Sequence, residues 1–261
     1  QIRDQDMLCL VLRAFPNPAL EGDADPARDF DAFVTECLFA DLAVVERRLD
    51  RARKEKLEPR EVAAFEMMKA TLEAERPLRS IAPSMLDRSK LTSYGFLTDR
   101  PLMAVVNRSE GEATEPLPAA IAGRLESLHA AGLVLSASVE AEIASMDPAD
   151  QKAFLEDLGL AESALTRFIR TAYGLLDLIS FFTVGEDEVR AWTTRRKATA
   201  VEAAGDVHTD LAHGFVRAEV IGCQDLIELG GMAEAKAKGK LRLEGKEYVV
   251  RDGDIVHIRS S

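Results

Sequence analysis

The sequence predicts an α/β protein with parallel strands, interrupted by an antiparallel pair of helices and followed by a smaller strand-rich domain. Three observations carry this expectation. Apolar runs near 7–15, 101–106 and 132–135 alternate with segments of helical period, the pattern of a parallel α/β layer. Two long amphipathic segments are joined by a charged turn, which predicts a helical hairpin with facing apolar stripes. Beyond about residue 178, short β-prone runs are separated by glycine-containing turns.

Taken in order, Met7 to Phe15 is a mostly apolar run closed by PNP, as in an interior strand covered on both faces. Residues 16–29, with three prolines, a glycine and several aspartates, read as a surface loop. From Phe30 the period is helical: Leu38, Leu42, Val45 and Leu49 recur at spacings of four, three and four. RARKEKLEPRE turns the chain, Pro59 suits a helix start, and Val62, Phe65, Met68 and Leu72 carry the second helix. Residues 81–100 read as a short helix or irregular link, and 101–106 as strand. A helix is expected over 117–131, a strand at GLVLSA, and helices near 139–144, 148–156 and 166–178. In the last part ISFFTV, VRAWTT, GFVRAEVI, KEYVV and DIVHIRS read as strands, turned by VGEDE and RDGD among others. Helices are expected there near 198–204 and 223–228.

Composition narrows the function classes. With 47% apolar residues in 261, the chain can fill two ordinary cores. No run reaches the roughly 18 to 20 apolar residues of a membrane span, and QIRDQDM lacks the basic head and apolar stretch of a secretory signal. A soluble, cytoplasmic protein without membrane attachment is expected. Cys9, Cys37 and Cys223 are scattered and odd in number, which suits reduced thiols better than a disulfide scaffold or zinc site. Of the histidines, only His208 and His213 lie close, a poor metal spacing. A net charge of -12 disfavours wholesale coating of a phosphate backbone but leaves room for one basic face. GxxxxGKS/T and GxSxG are both absent.

Two sets of residues are candidates for chemistry. The strand LMAVV runs directly into Asn107, Arg108, Ser109 and Glu110. Loops at the carboxyl ends of parallel strands form the ligand crevice. There an asparagine can hold a purine ring nitrogen or brace neighbouring loops, and an acidic side chain can accept from an exocyclic amine. Ser136 to Ser138 follow the next candidate strand and would supply a second loop over the same base. Each stretch reads equally well as a surface turn. The other set is basic: Arg190, Arg195, Arg196 and Lys197 around Trp192, with a second group at Lys236, Lys238, Lys240, Arg242 and Lys246. Such residues can contact phosphates and stack a base, or simply form solvated faces around a core tryptophan. The hairpin turn adds Arg47, Arg48, Arg51, Arg53, Lys54 and Lys56, interspersed with acids.

Several long segments together carry a family likeness. ISFFTVGEDEVRAWT, AAGDVHTDLAHGFVRAEVI and GKLRLEGKEYVVRDGDIVHIR closely resemble the C-terminal TGS domain of the YchF or Obg-like ATPases. Upstream, SASVEAEIASMDPADQKAFLEDLGL, VVNRSE and TECLFADLAVVERRL continue the resemblance over essentially the whole chain. The resemblance implies an α/β fold made of part of a P-loop G domain with its parallel sheet (1–28 and 80–177), an inserted antiparallel α-helical hairpin (29–79) and a C-terminal ubiquitin-like β-grasp, the TGS domain (178–261). It implies a ribosome-associated protein that binds and hydrolyses ATP in preference to GTP, with Mg. The preference is linked to an NxxE form of the guanine-reading NKxD motif, here Asn107 to Glu110. Ser136 and Ala137 match the last nucleotide-contact loop, and Arg108 falls where part of the base-binding wall is supplied.

The family's P-loop, switch regions and DxxG glycines would precede MLCLVLRAF, so the chain is expected to begin inside a larger domain. On its own it would hold no nucleotide tightly and have no catalytic residue, the phosphate chemistry being supplied upstream. The expected partner is the ribosome and its RNA, contacted by a monomer. The competing expectation is a nonenzymatic ribosome- or RNA-binding module acting through the hairpin and the last domain. RKATAVEAAG, Arg196 to Gly205, departs from a glycine- and proline-containing form in the relatives, which should alter a local turn more than the fold.

Overall fold

The computed structural model describes residues 2–55, 58–185 and 188–261. Lys56 and the side chains of Arg53 and Lys54 lie outside the described part, as do Glu186 and Asp187 of the VGEDE turn. The chain divides into two compact units, residues 1–175 and 176–261.

The first unit is built on three parallel strands in the order β1 (Leu8–Ala14), β2 (Leu102–Arg108), β3 (Ala131–Leu135). All five residues from Leu102 to Val106 are buried because β2 is central and covered on both faces. Alternation sends Leu102, Ala104 and Val106 into the main core, and Met103 and Val105 into a second cluster with Leu133. β1 is not the interior strand its apolar run predicts. It is an edge among the described strands, with Cys9 exposed and Val11 64% exposed, since a run of apolar letters reports two apolar faces but not what covers them.

Helix α1 (Pro26–Glu55) starts four residues before the expected Phe30. The third proline of the loop opens the helix, and Asp25 Oδ1 accepts from Arg28 N at 3.0 Å. α2 (Pro59–Glu73) returns alongside it with Pro59 in its first turn. Arg48 pairs with Glu61 at 2.6 Å and Glu46 with Lys69 at 3.2 Å, so the helices run antiparallel. Their stripes, Val45 and Leu49 against Phe65, Met68 and Leu72, join the main core. The expected irregular link follows as short 3-10 turns at Leu78–Ser80, Arg88–Lys90 and Thr92–Tyr94. Its shape is held by arginines: Arg79 donates to the carbonyls of Leu128, Thr98 and Arg100, and Arg88 to those of Leu78 and Ile81.

α3 (Ala119–Ser127) precedes β3 and packs on it closely, because a side chain at Gly132 would collide with Leu125 and Leu117. After β3 come α4 (Ala137–Ser145), α5 (Pro148–Asp157) and α6 (Ala164–Leu175). Phe168 and Leu175 of α6 cover the second face of the sheet. Glu140 of α4 accepts from Ala164 N at 2.8 Å and Leu165 N at 3.3 Å, capping α6 from a neighbouring helix.

The second unit contains a mixed sheet, β4 (Leu178–Val184), β5 (Val189–Arg195), β6 (Phe215–Gly222), β7 (Arg242–Glu244) and β8 (Asp254–Ser260), in the order β5-β4-β8-β6-β7. β4 and β8 pair in parallel and the other neighbours antiparallel, the strand order of a β-grasp sheet. α7 (Ala200–Val207) begins at a capping box between Thr199 and Glu202 and buries Ala200, Ala203 and Ala204 against Ile179, Phe181 and Val220. α8 (Thr209–His213) follows directly, with His208 Nδ1 accepting from Asp210 N at 3.2 Å. The opposite face is covered by α9 (Cys223–Leu229) and α10 (Met232–Ala237). KEYVV is not the strand its letters predict. It makes one isolated bridge, Val249 to Thr199, and the short edge strand falls at β7 instead. Among the described residues no helix is long and apolar enough to cross a membrane.

Candidate functional site

The β2 strand carries Asn107 and Arg108 as its last two residues, so NRSE starts on the sheet before it surfaces. Asn107 stands opposite Arg13 of β1 and Leu135 of β3, at the carboxyl ends of all three strands. Its Oδ1 accepts from Ala137 N at 2.9 Å. Ala137 is the first residue of α4, and the residue before it, Ser136, makes no side-chain cap of its own. Asn107 therefore supplies from the adjacent strand the acceptor that a helix N-terminus otherwise takes from its own N-cap. The bond also fixes which end of the amide is oxygen, and it leaves Nδ2 as a donor at the strand ends.

Ser136 is buried, 2% exposed, and its hydroxyl meets that of Ser138 at 2.9 Å. Asn107, Ser136 and Ala137 thus form one bonded junction between two strand ends. Arg108, half-buried, turns its guanidinium to the carbonyl of Pro116 at 2.9 Å and ties down the loop that follows. Glu110 opens the 3-10 turn Glu110–Glu112 and is exposed. This arrangement offers a purine an amide donor from Asn107 and the first-turn amides of α4 that follow Ala137, with the Glu110 carboxylate exposed on the loop after β2. It offers phosphates no glycine-rich cradle, and among the described residues no group of three or more His, Cys, Asp or Glu side chains is gathered for a metal.

The basic set is split by strand alternation. Arg190 and Trp192 share one face of β5, with the guanidinium carbon 4.2 Å from the ring centroid and Trp192 Nε1 donating to Thr183 Oγ1 at 2.9 Å. Arg195 falls on the other face. Arg196 is bound to Asp177 twice, its amide to the carbonyl at 2.7 Å and its Nε to Oδ1 at 2.9 Å. Arg195, Arg196 and Lys197 together line a cavity of about 450 Å³ with Thr193, Thr194, Glu202 and Asp206. In the second basic group Arg242 is committed to Asp254 and the ring of Tyr248. A larger cavity of about 940 Å³, lined by Phe65, Met85 and Tyr94 with Glu58, Arg60 and Lys90, lies away from the strand ends, and its mixed charge indicates no ligand class.

Ser138, already part of the second loop read from the sequence, completes the hydroxyl pair, whereas Glu140, which ties α4 to α6, escapes a reading by motif. The only sequence signal for Glu140 is an acid in the first turn of a helix, which is common.

The family model YchF-GTPase_C, described as a protein of unknown function (DUF933), matches residues 178–261. The chain is 39% identical over 271 residues to the ribosome-binding ATPase YchF of Bacillus subtilis, covering 99% of this chain and 74% of that protein. It is 34% identical over 269 residues to Obg-like ATPase 1 of Caenorhabditis elegans, covering 97% and 68%. Among solved structures it superposes on the Schizosaccharomyces pombe YchF GTPase with a TM-score of 0.87 at 31% identity, covering 98% of this chain and 73% of that one. A GTP-binding protein from Pyrococcus horikoshii shares the fold at 18% identity and a TM-score of 0.61.

Proposed function

Because the chain belongs to the YchF and Obg-like ATPase family, we propose that these 261 residues are the base-selecting and ribosome-contacting part of a cytoplasmic protein that binds and hydrolyses ATP in preference to GTP. The observation that carries the reading is the Asn107 Oδ1 bond to Ala137 N, which locks two strand-end loops together and leaves an amide donor for a purine ring nitrogen. Glu110 replaces the aspartate of a guanine-reading motif. Its longer side chain sets the carboxylate one methylene further out, which disfavours the paired bonds to the guanine amine and N1-H. Arg108 fixes the loop bearing Glu110 through Pro116.

ATP would bring its own phosphates and Mg, but this stretch has no P-loop with which to position them. The division of labour is that this part chooses the base and docks the protein, while phosphate chemistry needs residues these 261 do not contain. Docking is assigned to Arg190, Arg195, Arg196 and Lys197 of the second unit, which we take to be a TGS domain.

The test uses the purified 261-residue polypeptide. It is expected to co-sediment with ribosomes and to release no phosphate from ATP above background. In saturation-transfer NMR, ATP should give stronger base-proton transfer than GTP, and Asn107→Ala should abolish the difference. Robust ATP turnover would overturn the division of labour, and equal transfer from both nucleotides would overturn base selection.

The second reading is a ribosome- or RNA-binding module with no nucleotide role, favoured by the cavity lined with three consecutive cations. It requires ribosome binding unaffected by Asn107→Ala and by nucleotide.

A further inference from the structure

Helix α6 holds the loop of Ser136, Ala137 and Ser138 from both of its ends. Ahead of the loop, an Arg167 Nη2 donates to the carbonyl of Val134 at 3.2 Å, two residues before Ser136 on β3. Beyond it, Glu140 Oε1 accepts from Ala164 N at 2.8 Å and Oε2 from Leu165 N at 3.3 Å, two residues after Ser138. The segment that Asn107 bonds at Ala137 is therefore tied on either side to one and the same helix.

The needs of α6 itself do not account for these contacts. It has a cap of its own, because Ser163 Oγ accepts from Thr166 N at 3.3 Å. The Glu140 carboxylate takes amides that this cap does not reach, and it comes from a different helix. Arg167 Nε is buried without a hydrogen-bond partner among the described residues, a cost to the fold incurred where the guanidinium reaches Val134. α4, in contrast, has little else to fix it. It spans nine residues, Ser136 gives it no side-chain cap, and its buried apolar residues are Val139 and Ile143. Apolar burial is non-directional and lets a short helix slide on its bed, whereas hydrogen bonds to fixed amides set its position.

We propose that Glu140 and Arg167 are positioning residues for purine discrimination: tied to α6 on both sides, the loop keeps the Asn107–Ala137 bond closed and the first-turn amides of α4 aimed at the base. The inference rests on the base-selecting reading above and deepens it, naming the residues that hold the reading edge rather than those that touch the base. Telling adenine from guanine depends on where donors stand along one ring edge, so a loop displaced by about an ångström loses the distinction before it loses binding. Bonds from a carboxylate to amides are charge-assisted and strong enough to hold such a loop.

Glu140→Ala in the 261-residue chain removes both bonds to α6. Ser163→Ala removes the helix's own cap and leaves the loop contacts in place, so it is the control for a purely structural role. Both variants are expected to unfold at a lower temperature than the parent. Only Glu140→Ala is expected to speed hydrogen exchange at the Ala137 amide, on the order of tenfold, and to erase most of the excess of base-proton transfer from ATP over GTP in saturation-transfer NMR. Glu140→Gln keeps one carbonyl acceptor and the length of the side chain; it should fall between parent and alanine variant in both readings, and it carries the test where the alanine variant does not fold. Arg167→Met should act in the same direction from the other end of the loop. Parent values of Ala137 exchange and of ATP preference in the Glu140 variants overturn the inference and leave base selection standing. A Ser163→Ala protein that loses the preference as fully as Glu140→Ala overturns it as well, because α6 stability alone would then set the preference. A parent chain that gives equal transfer from both nucleotides removes the base-selecting reading, and the inference with it.

Discussion

Asp41 is fully buried in α1, yet it accepts from Leu97 N at 3.0 Å, Thr98 N at 2.7 Å, Thr98 Oγ1 at 2.8 Å and Arg3 at 3.3 Å. Those bonds join the helical hairpin to the segment that leads into β2. Asp41→Ala strands two buried amides and is expected to destabilise the first unit by about 2–5 kcal/mol, read as a lower urea midpoint. One turn earlier, burial and then the charge of Asp41 push the Cys37 thiol up from 9.0 to about 11. Above pH 9.0 the unfolded thiol loses its proton while the folded one keeps it, so stability falls as pH rises towards about 11. The loss is expected to reach roughly 2–3 kcal/mol, and Cys37→Ala should flatten that part of the urea-midpoint profile. Cys37 was legible as a reduced thiol, and Asp41 was not legible in the sequence. Asp41 is one of 45 acidic residues, and only the fold shows that its neighbours are backbone amides rather than water. Asn107 was legible as a loop brace because it follows an apolar run directly, whereas its partner, a single backbone amide, leaves no mark in the letters.

At the scale of elements, long periodic segments were read well, and so were most short runs, β3, β4, β5 and β8 among them. The hairpin, β2 and β6 carry strong periods that packing then rewards. The expectation failed where an apolar run is held by something other than a ladder. KEYVV has the composition of a strand, but Tyr248 O accepts from Ala200 N at 2.7 Å and Val250 N donates to Ala198 O at 3.0 Å, so the run is spent on bracing the start of α7. Its anchor is Asp254, 3% exposed, which takes the Tyr248 hydroxyl at 2.7 Å and Arg251 N at 2.9 Å. Tyr248→Phe removes one donor from a buried carboxylate and keeps the ring. It is expected to cost about 1–3 kcal/mol in thermal or urea unfolding while leaving the β5 cations in place. The expectation that Arg196 to Gly205 alters only a local turn meets a specific position in Lys197, whose φ of 72° a lysine can hold only with strain.

For the molecule as a whole, a charge of -12 and the proposed role on the ribosome pull in opposite directions, and under that proposal the placement of a few cations reconciles them. Long-range attraction to RNA is weak for such a chain, so binding must come from short-range contacts at one face. The candidates are four, and geometry already limits them: Arg190 lies over Trp192, and Arg196 is bound to Asp177. If all four reached phosphates, the slope of log affinity against log salt would be about -4, and if only Arg195 and Lys197 did, about -2. A filter-binding titration between 50 and 200 mM salt, the range over which a many-contact protein loses about a thousandfold or more, is therefore expected to show only a shallow decline. Arg195→Glu should shift that line towards weaker binding at every salt concentration, whereas the same reversal at Arg190 should act mainly through the lost contact with Trp192. A steep slope, near -10, would mean that a broad basic surface elsewhere makes the contact, with the β5 turn as a bystander.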